Sequence, residues 1–350
     1  MLPSLKLFYR ILKTNFGIFN PFELNFAVTY LCNSRCKTCN IWKIKSKNEL
    51  SLEEIKNFAK KIKFIHWLRL TGGEPFLRKD YVEIVKTLDE ELDLYLLTTP
   101  TNGLIPNLIE EKIERILKFF KGNYIITVSL DGPKEIHEFI RGIEGSWEKA
   151  MNTFEKLKKF EKNYKNFKVF FGYTISPFNV NKFDETVNEV QKVFPYISYN
   201  DFHVNIFHLS TFYYHTTYED VNNLNLKEFN KTAITEIKKI LSHKKVEDFI
   251  SLINKKYLLY GIKYLENKKT PVDCNIYNLS TFVDPYGNVY PCSIFNFKLG
   301  NLRENNYNLL KILNSKRAKK AKELIKNKKC PSCWTPCEAH QMILSRLLHI

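Results

Sequence analysis

"CNSRCKTC", residues 32–39, places three thiols in eight positions, Cys32, Cys36 and Cys39, with three residues inside the first gap and two inside the second. It follows directly on "ELNFAVTYL", residues 23–31, a run of apolar and β-branched residues that reads as a strand. Three thiolates on one loop supply three corners of a cubic iron–sulfur cluster and leave its fourth iron open to an outside ligand. A closed zinc site asks for four ligands, usually two short cysteine pairs, so here a distant residue would have to complete it. The spacing leaves both open, and the place of the loop in the fold bears on the choice.

Outward from the loop the chain alternates. "SLEEIKNFAKKI" from Ser51 opens with a capping-box pattern and continues as a helix. "WLRLTG", "LDLYLLTT", "YIITVSLDG", "VFFGYTI" and "FHVNIFHL" follow as strands, separated by helical stretches from Tyr81, Asn107, Ser146, Phe183 and Leu226. Six β/α units of this kind predict an α/β fold, a parallel sheet curled as a partial (β/α)6 TIM-type barrel over residues 23–245. Loops at the C-terminal ends of such strands converge on one mouth. The cysteine loop ends the first strand and "TGGEP", residues 71–75, ends the second.

Beyond residue 245 the pattern changes. The helical "VEDFISLINKKYLLYGIKYLEN" leads to "CNIYNLSTFVDPYGNVYPC", in which Pro285-Tyr286-Gly287-Asn288 reads as the turn of a β-hairpin bracketed by Cys274 and Cys292. A basic helix then ends at "CPSCWTPC", with Cys330, Cys333 and Cys337. Residues 246–350 are expected to be a small hairpin-and-helix domain with its own metal site. Residues 1–22, including "LPSLKLFYRILKTNF", form a basic amphipathic extension, expected to pack on the barrel, with peripheral membrane contact as the other reading.

Composition sets limits on all of this. The chain has 350 residues, 44% of them hydrophobic, enough for a large core, and no apolar run of spanning length or secretory signal pattern. A cytoplasmic location is expected, where eight cysteines at short spacings point to metal rather than disulfides. The net charge of +17 comes mainly from lysines in segments such as "EKLKKFEKNYKNFK" and "KRAKKAKELIKNKK", where helices with solvated faces belong. Nucleic acid is not favoured as a partner, and an acidic electron-donor protein suits the charge as well as RNA does.

Taken together, the cysteine loop, "TGGEP", "TNG" at residues 101–103, and "SLDG" at 129–132 followed by "HEFIRG" with His137 and Arg141 resemble the radical SAM superfamily, in the branch whose barrel precedes a SPASM or twitch domain. The resemblance implies a [4Fe–4S] cluster on Cys32, Cys36 and Cys39 that chelates S-adenosylmethionine. It implies that Gly72, Gly73, Glu74, Asn102, Ser129, Asp131 and Arg141 belong to the cofactor-binding set. Many family members carry an aromatic residue before the third cysteine; here that position is Thr38, and Ile41 or Trp42 is expected to supply the apolar contact. Cys274 and Cys292, with two of Cys330, Cys333 and Cys337, would hold one auxiliary [4Fe–4S] cluster. Cys333 with Cys337 is the favoured completing pair, though the spacing also permits Cys330 with Cys333, and a structural zinc ribbon is the alternative.

The implied enzyme, of oxidoreductase or maturase type, takes an electron from a reducing partner such as ferredoxin or flavodoxin and cleaves S-adenosylmethionine to a 5′-deoxyadenosyl radical. That radical abstracts hydrogen from a peptide or small-molecule substrate. An auxiliary cluster would favour oxidation or cross-linking over a redox-neutral rearrangement or addition on a lipid or other metabolite. A non-catalytic iron–sulfur or zinc protein that binds nucleic acid is the remote alternative, and it has no need of "TGGEP". Substrate contacts are expected from His203, Asn205, His208, Tyr213, Tyr214 and His215 after the sixth strand.

Overall fold

A computed structural model describes residues 21–210, 212–216 and 225–347. The expectation for the N-terminal extension therefore lies almost wholly outside the described residues. Strands β1 (Glu23–Thr29), β2 (Trp67–Gly72), β3 (Leu96–Thr101), β4 (Asn123–Ser129), β5 (Phe167–Ile175) and β6 (Phe202–Ile206) pair in parallel, each with the next. The helices between them are α1 (Leu52–Ala59), α2 (Tyr81–Glu91), α3 (Pro106–Phe119), α4 (Lys134–Arg141), α5 (Ser146–Phe160) and α6 (Phe183–Val193). This is the partial barrel that the alternation predicts, and β6 forms one free edge of the sheet.

Local chemistry explains the joints. Ser51 caps α1 as expected: its hydroxyl accepts from the Glu54 amide, and the Glu54 carboxylate accepts from the Ser51 amide. Every residue of β1 is buried, as befits a strand flanked on both sides and covered on both faces. β3 and β4 alternate buried and half-buried positions, so one face packs under the helices and the other lines the barrel interior.

After β6 come α7 (Leu226–His243), α8 (Phe249–Asn267) and the short α9 (Ile276–Leu279). The hairpin predicted around Pro285–Asn288 forms between β7 (Ser280–Val283) and β8 (Asn288–Tyr290), and Gly287 takes a left-handed φ of 80°. It does not stand apart from the barrel sheet. β7 pairs in parallel with β1, and β9 (Gly300–Asn301) extends the order to β6-β5-β4-β3-β2-β1-β7-β8-β9. The C-terminal segment thus adds three strands to the edge that β1 would otherwise expose. α10 (Leu309–Leu313), α11 (Lys316–Lys326) and α12 (Pro336–Leu347) complete the described chain. No described helix is long and apolar enough to cross a membrane.

Candidate active site

The three thiols of the first loop face one cavity of about 300 Å³ at the C-terminal ends of the barrel strands. Its wall includes Gly72 and Gly73 at the end of β2, Asn102 after β3, and Ser129 and Asp131 at the end of β4, with Arg141 from α4. Thr38, Ile41 and Trp42 also line it, so the position that departs from the family pattern opens on the same space.

The loop is held at both ends. On one side the amides of Gly73 and Glu74 donate to the carbonyls of Thr29 and Leu31, each at 2.8 Å, which clamps the β2 turn against the residues preceding Cys32. Gly72 sits at φ +134°, and a Cβ on Gly73 would come within 2.3 Å of the Leu31 carbonyl oxygen. The glycines are therefore required by backbone packing under the cysteine loop, whatever ligand their carbonyls meet. On the other side the amides of Arg35 and Lys37 donate to the carbonyls of Arg141 and Ile140. These belong to the last turn of α4, whose carbonyls lack helical partners, so the cysteine loop satisfies a helix end.

Glu74 does not line the cavity. Its carboxylate accepts from the Phe76 amide, the Thr101 hydroxyl and the Asn102 amide, at 3.3, 3.0 and 2.7 Å, and so ties the β2 turn to the β3 turn. Burial pushes its carboxyl up to about 7 against these donors. Asn102 reaches Asn33 at 2.8 Å. Asp131 forms a buried ion pair with Arg141 at 2.6 Å and accepts from the Thr174 amide, while the Arg141 guanidinium also donates to Cys36 Sγ at 3.6 Å. Neutral His137, its pKa driven well down by burial and by Arg141, accepts from the Asp131 amide and stays behind the wall.

The sulfurs sit in a donor-rich setting. Cys32 accepts from the Ser34 amide and Cys39 from the Ile41 amide, while Cys36 Sγ lies 3.0 Å from the Ser34 hydroxyl. Burial nonetheless raises the Cys32 and Cys39 thiols to about 11 and about 12. Buried sulfurs ringed by N–H groups suit thiolates bound to a metal cluster, whose positive charge offsets the cost of desolvation. Among the described residues no three His, Cys, Asp or Glu side chains gather closely enough to chelate a single ion. The wider set of three thiols fits a cubane, whose irons stand at separate corners.

Of the five C-terminal cysteines, Cys337 lines the barrel cavity and the other four do not. Cys333 lies in the electrostatic field of Cys292, Cys274 and Cys330, and Cys274 and Cys292 accept from the amides of Ile276 and Ile294, the same two-residue step seen at Cys32 and Cys39. These neighbours favour Cys330 with Cys333, the other pair that the spacing permits, over Cys333 with Cys337. Cys337 opens on the barrel cavity instead, where its neighbours are Arg69, Glu338, Glu23 and Asn25. Pro336 starts α12 between the two cysteines, and the helix enters the barrel interior.

Of the residues proposed after β6, His203, Asn205, His208, Tyr213 and Tyr214 line the cavity, and His215 does not. Two are already engaged. His208 contacts the Ile206 carbonyl through Nδ1 and accepts from the Trp334 amide through Nε2, both at 2.8 Å, and the Tyr213 hydroxyl bonds Thr71 and the Gly72 carbonyl. His203 keeps Nε2 unpartnered, with burial lowering it to about 3. The sequence reading missed Arg69, Thr98 and His340, which also face the cavity. Arg69 and Thr98 were legible in principle, as interior positions of strands already recognised.

The radical SAM superfamily family matches residues 26–190, and the iron–sulfur cluster-binding SPASM domain matches residues 274–338. The chain belongs to the radical SAM superfamily. It is 25% identical over 297 residues to the antilisterial bacteriocin subtilosin biosynthesis protein AlbA of Bacillus subtilis, covering 82% of this chain and 58% of that protein. It is 29% identical over 152 residues to a GTP 3′,8-cyclase of Mannheimia succiniciproducens, covering 39% and 43%. The chain spans about half the length of these curated relatives. Among solved structures, native anSMEcpe with bound AdoMet superposes with a TM-score of 0.59 at 16% identity, over 94% of this chain and 96% of that one, a likeness of fold. This radical SAM chain uses S-adenosylmethionine and a [4Fe–4S] cluster, and its SPASM domain carries auxiliary iron–sulfur.

Proposed function

We propose that this enzyme cleaves S-adenosylmethionine reductively and uses the 5′-deoxyadenosyl radical to take hydrogen from a carbon of a peptide. The observation that carries the reading is the convergence of Cys32, Cys36 and Cys39 with Gly72, Gly73, Asn102, Ser129, Asp131 and Arg141 on one cavity at the barrel mouth. Cys32, Cys36 and Cys39 would hold the cluster, which would supply the electron that breaks the sulfonium C–S bond. The protein's own part is positioning and exclusion of water. Arg141, paired to Asp131 and reaching Cys36, fixes the cysteine loop and sets a positive charge beside it. Glu74 holds the β2 and β3 turns together from behind.

A peptide is the substrate class favoured, because the relative aligned over most of this chain is a bacteriocin biosynthesis protein. Oxidation or cross-linking fits an enzyme with a second iron–sulfur site, held by Cys274, Cys292, Cys330 and Cys333 in the segment 246–350 beyond the barrel segment 23–245. A redox-neutral outcome is favoured by one observation, the thiol of Cys337 in the cavity. All eight cysteines are unpaired, in keeping with a cytoplasmic setting and an external donor such as ferredoxin or flavodoxin. The test is anaerobic incubation of reconstituted protein with S-adenosylmethionine and dithionite, followed by mass spectrometry of the nucleoside. 5′-Deoxyadenosine is expected from the wild type and not from Cys32→Ala, Cys36→Ala or Cys39→Ala; undiminished cleavage in all three would overturn the reading.

A further inference from the structure

In the assignment proposed above seven of the eight cysteines serve as ligands, which leaves out Cys337 of the barrel cavity. It lines the cavity that the Cys32 loop faces, and Tyr213 and Tyr214 lie in the fields of both Cys337 and Cys39, so one chamber holds the thiol and the radical-forming loop. The interior around it is built to receive something polar. Asn25 faces Cys337 through its side chain, is only 2% exposed, and leaves Oδ1 without a hydrogen-bond partner. Arg69 and Thr98 share its register row across β1, β2 and β3, and the Thr98 hydroxyl is unpartnered as well. Buried polar atoms are normally satisfied, so this row marks the floor of a substrate site.

We infer that Cys337 is a catalytic thiol that donates its S–H hydrogen to the carbon radical generated in this cavity. The inference rests on the radical reading of the same cavity. Burial keeps the group in the form that can do this, pushing the thiol up to about 12 although Arg69 pulls the other way. The steps balance. S-adenosylmethionine takes one electron and yields methionine and the 5′-deoxyadenosyl radical, which removes a hydrogen atom from a substrate C–H bond. The Cys337 S–H bond breaks, a new C–H bond forms on the substrate, and a thiyl radical remains. One electron from a low-potential one-electron reductant and one proton from water restore the thiol. The substrate then leaves with its hydrogen replaced, as in inversion of a stereocentre or rearrangement, without net oxidation.

The test needs no substrate. Reconstituted holoprotein is incubated with S-adenosylmethionine and dithionite in D2O, so that the adenosyl radical itself is the carbon radical and the S–D bond a donor in the same chamber. Monodeuterated 5′-deoxyadenosine is expected from the wild type, with the deuterated fraction falling at least about threefold in Cys337→Ser, whose O–H bond is too strong to give up hydrogen. Iron content is read on the same samples. Both proteins should keep about eight irons. Loss of about half the iron in Cys337→Ser would make it a ligand and overturn the inference. An unchanged deuterated fraction at full iron would also overturn it while leaving the cleavage reading intact. Absence of 5′-deoxyadenosine from the wild type would overturn both.

Discussion

Gly73→Ala tests whether the "TGGEP" turn serves the cysteine loop before it serves any ligand. The added Cβ would lie 2.3 Å from the Leu31 carbonyl oxygen, 2.7 Å from its carbon and 2.8 Å from the Tyr30 carbonyl oxygen, all backbone atoms that cannot swing aside. Overpacking of this kind costs about 1–3 kcal/mol. Relief by separation would stretch the bonds from the Gly73 and Glu74 amides, both now 2.8 Å, at about 1 kcal/mol each. The total, about 3–5 kcal/mol, should lower the thermal midpoint of a 350-residue chain by about 4–7 °C. Because Leu31 adjoins Cys32, the same shift moves the first ligand. Iron should fall from about eight to about four per chain, the auxiliary set surviving. Anaerobic calorimetry and iron analysis on one preparation read both numbers. A midpoint within about 1 °C of the wild type at full iron would show that the backbone clamp does not hold the loop, and would return the glycines to a purely ligand-facing role.

Removing the buried partner of Asp131 by Arg141→Leu should destabilise the protein by about 3–5 kcal/mol, since it strands a carboxylate that is nearly inaccessible to water; chemical unfolding under argon gives the value, and a change below about 1 kcal/mol would mean the pair is solvated. Cys333→Ser should lose about four irons and keep 5′-deoxyadenosine formation, read by iron analysis and the nucleoside assay, whereas loss of cleavage with the barrel cluster intact would tie the second site to the first step. The carboxyl of Glu23 is held up at about 7 from 4.5 by burial, with Arg69 opposing. Its folded value lies above its unfolded one, so its contribution is complete below about pH 4.5 and is lost as pH rises through about 7. Glu23→Gln should therefore flatten the fall in stability across that window by about 3 kcal/mol, and an unchanged pH slope would refute the assignment.

The barrel was legible because each unit carries its own signals: the capping box at Ser51, the apolar alternation of β3 and β4, and glycine-bearing turns at the strand ends. Cys32, Asn102 and Asp131 were readable for the same reason, since they lie within a few residues of a strand end, whereas Arg141 ends the helix after β4 and was legible only through the motif it belongs to. What could not be read locally depends on pairings distant in sequence. Nothing in "STFV" announces that β7 adds to β1 rather than founding a separate sheet. Nothing in "TGGEP" says that Glu74 points away from the mouth to bind residues 101 and 102. That Cys337 of "CPSCWTPC" lines the barrel cavity could not be read, because spacing treats all three cysteines as equivalent, while α12 starts at Pro336 just before the last one.

That placement joins the two halves of the molecule through a short, rigid stretch. Trp334, fully buried, donates its indole N–H to the Tyr257 carbonyl and its amide to His208, while the Tyr257 hydroxyl bonds both the Trp334 carbonyl and the Ile206 amide. One residue before it, Cys333 belongs to the auxiliary set; three after it, Cys337 faces the cavity. Glu338 closes the arrangement from the other side, accepting from the amide and hydroxyl of Ser293, the neighbour of Cys292, and from the hydroxyl of Thr335. A displacement at either site must pass through contacts that pack without slack and have no exposed side chain to absorb it. The segment that carries Cys330 and Cys333 therefore fixes where the Cys337 thiol stands in the barrel. Losing the auxiliary set should disturb the position of the thiol before it disturbs the Cys32 loop, which is clamped independently by the β2 turn and the end of α4.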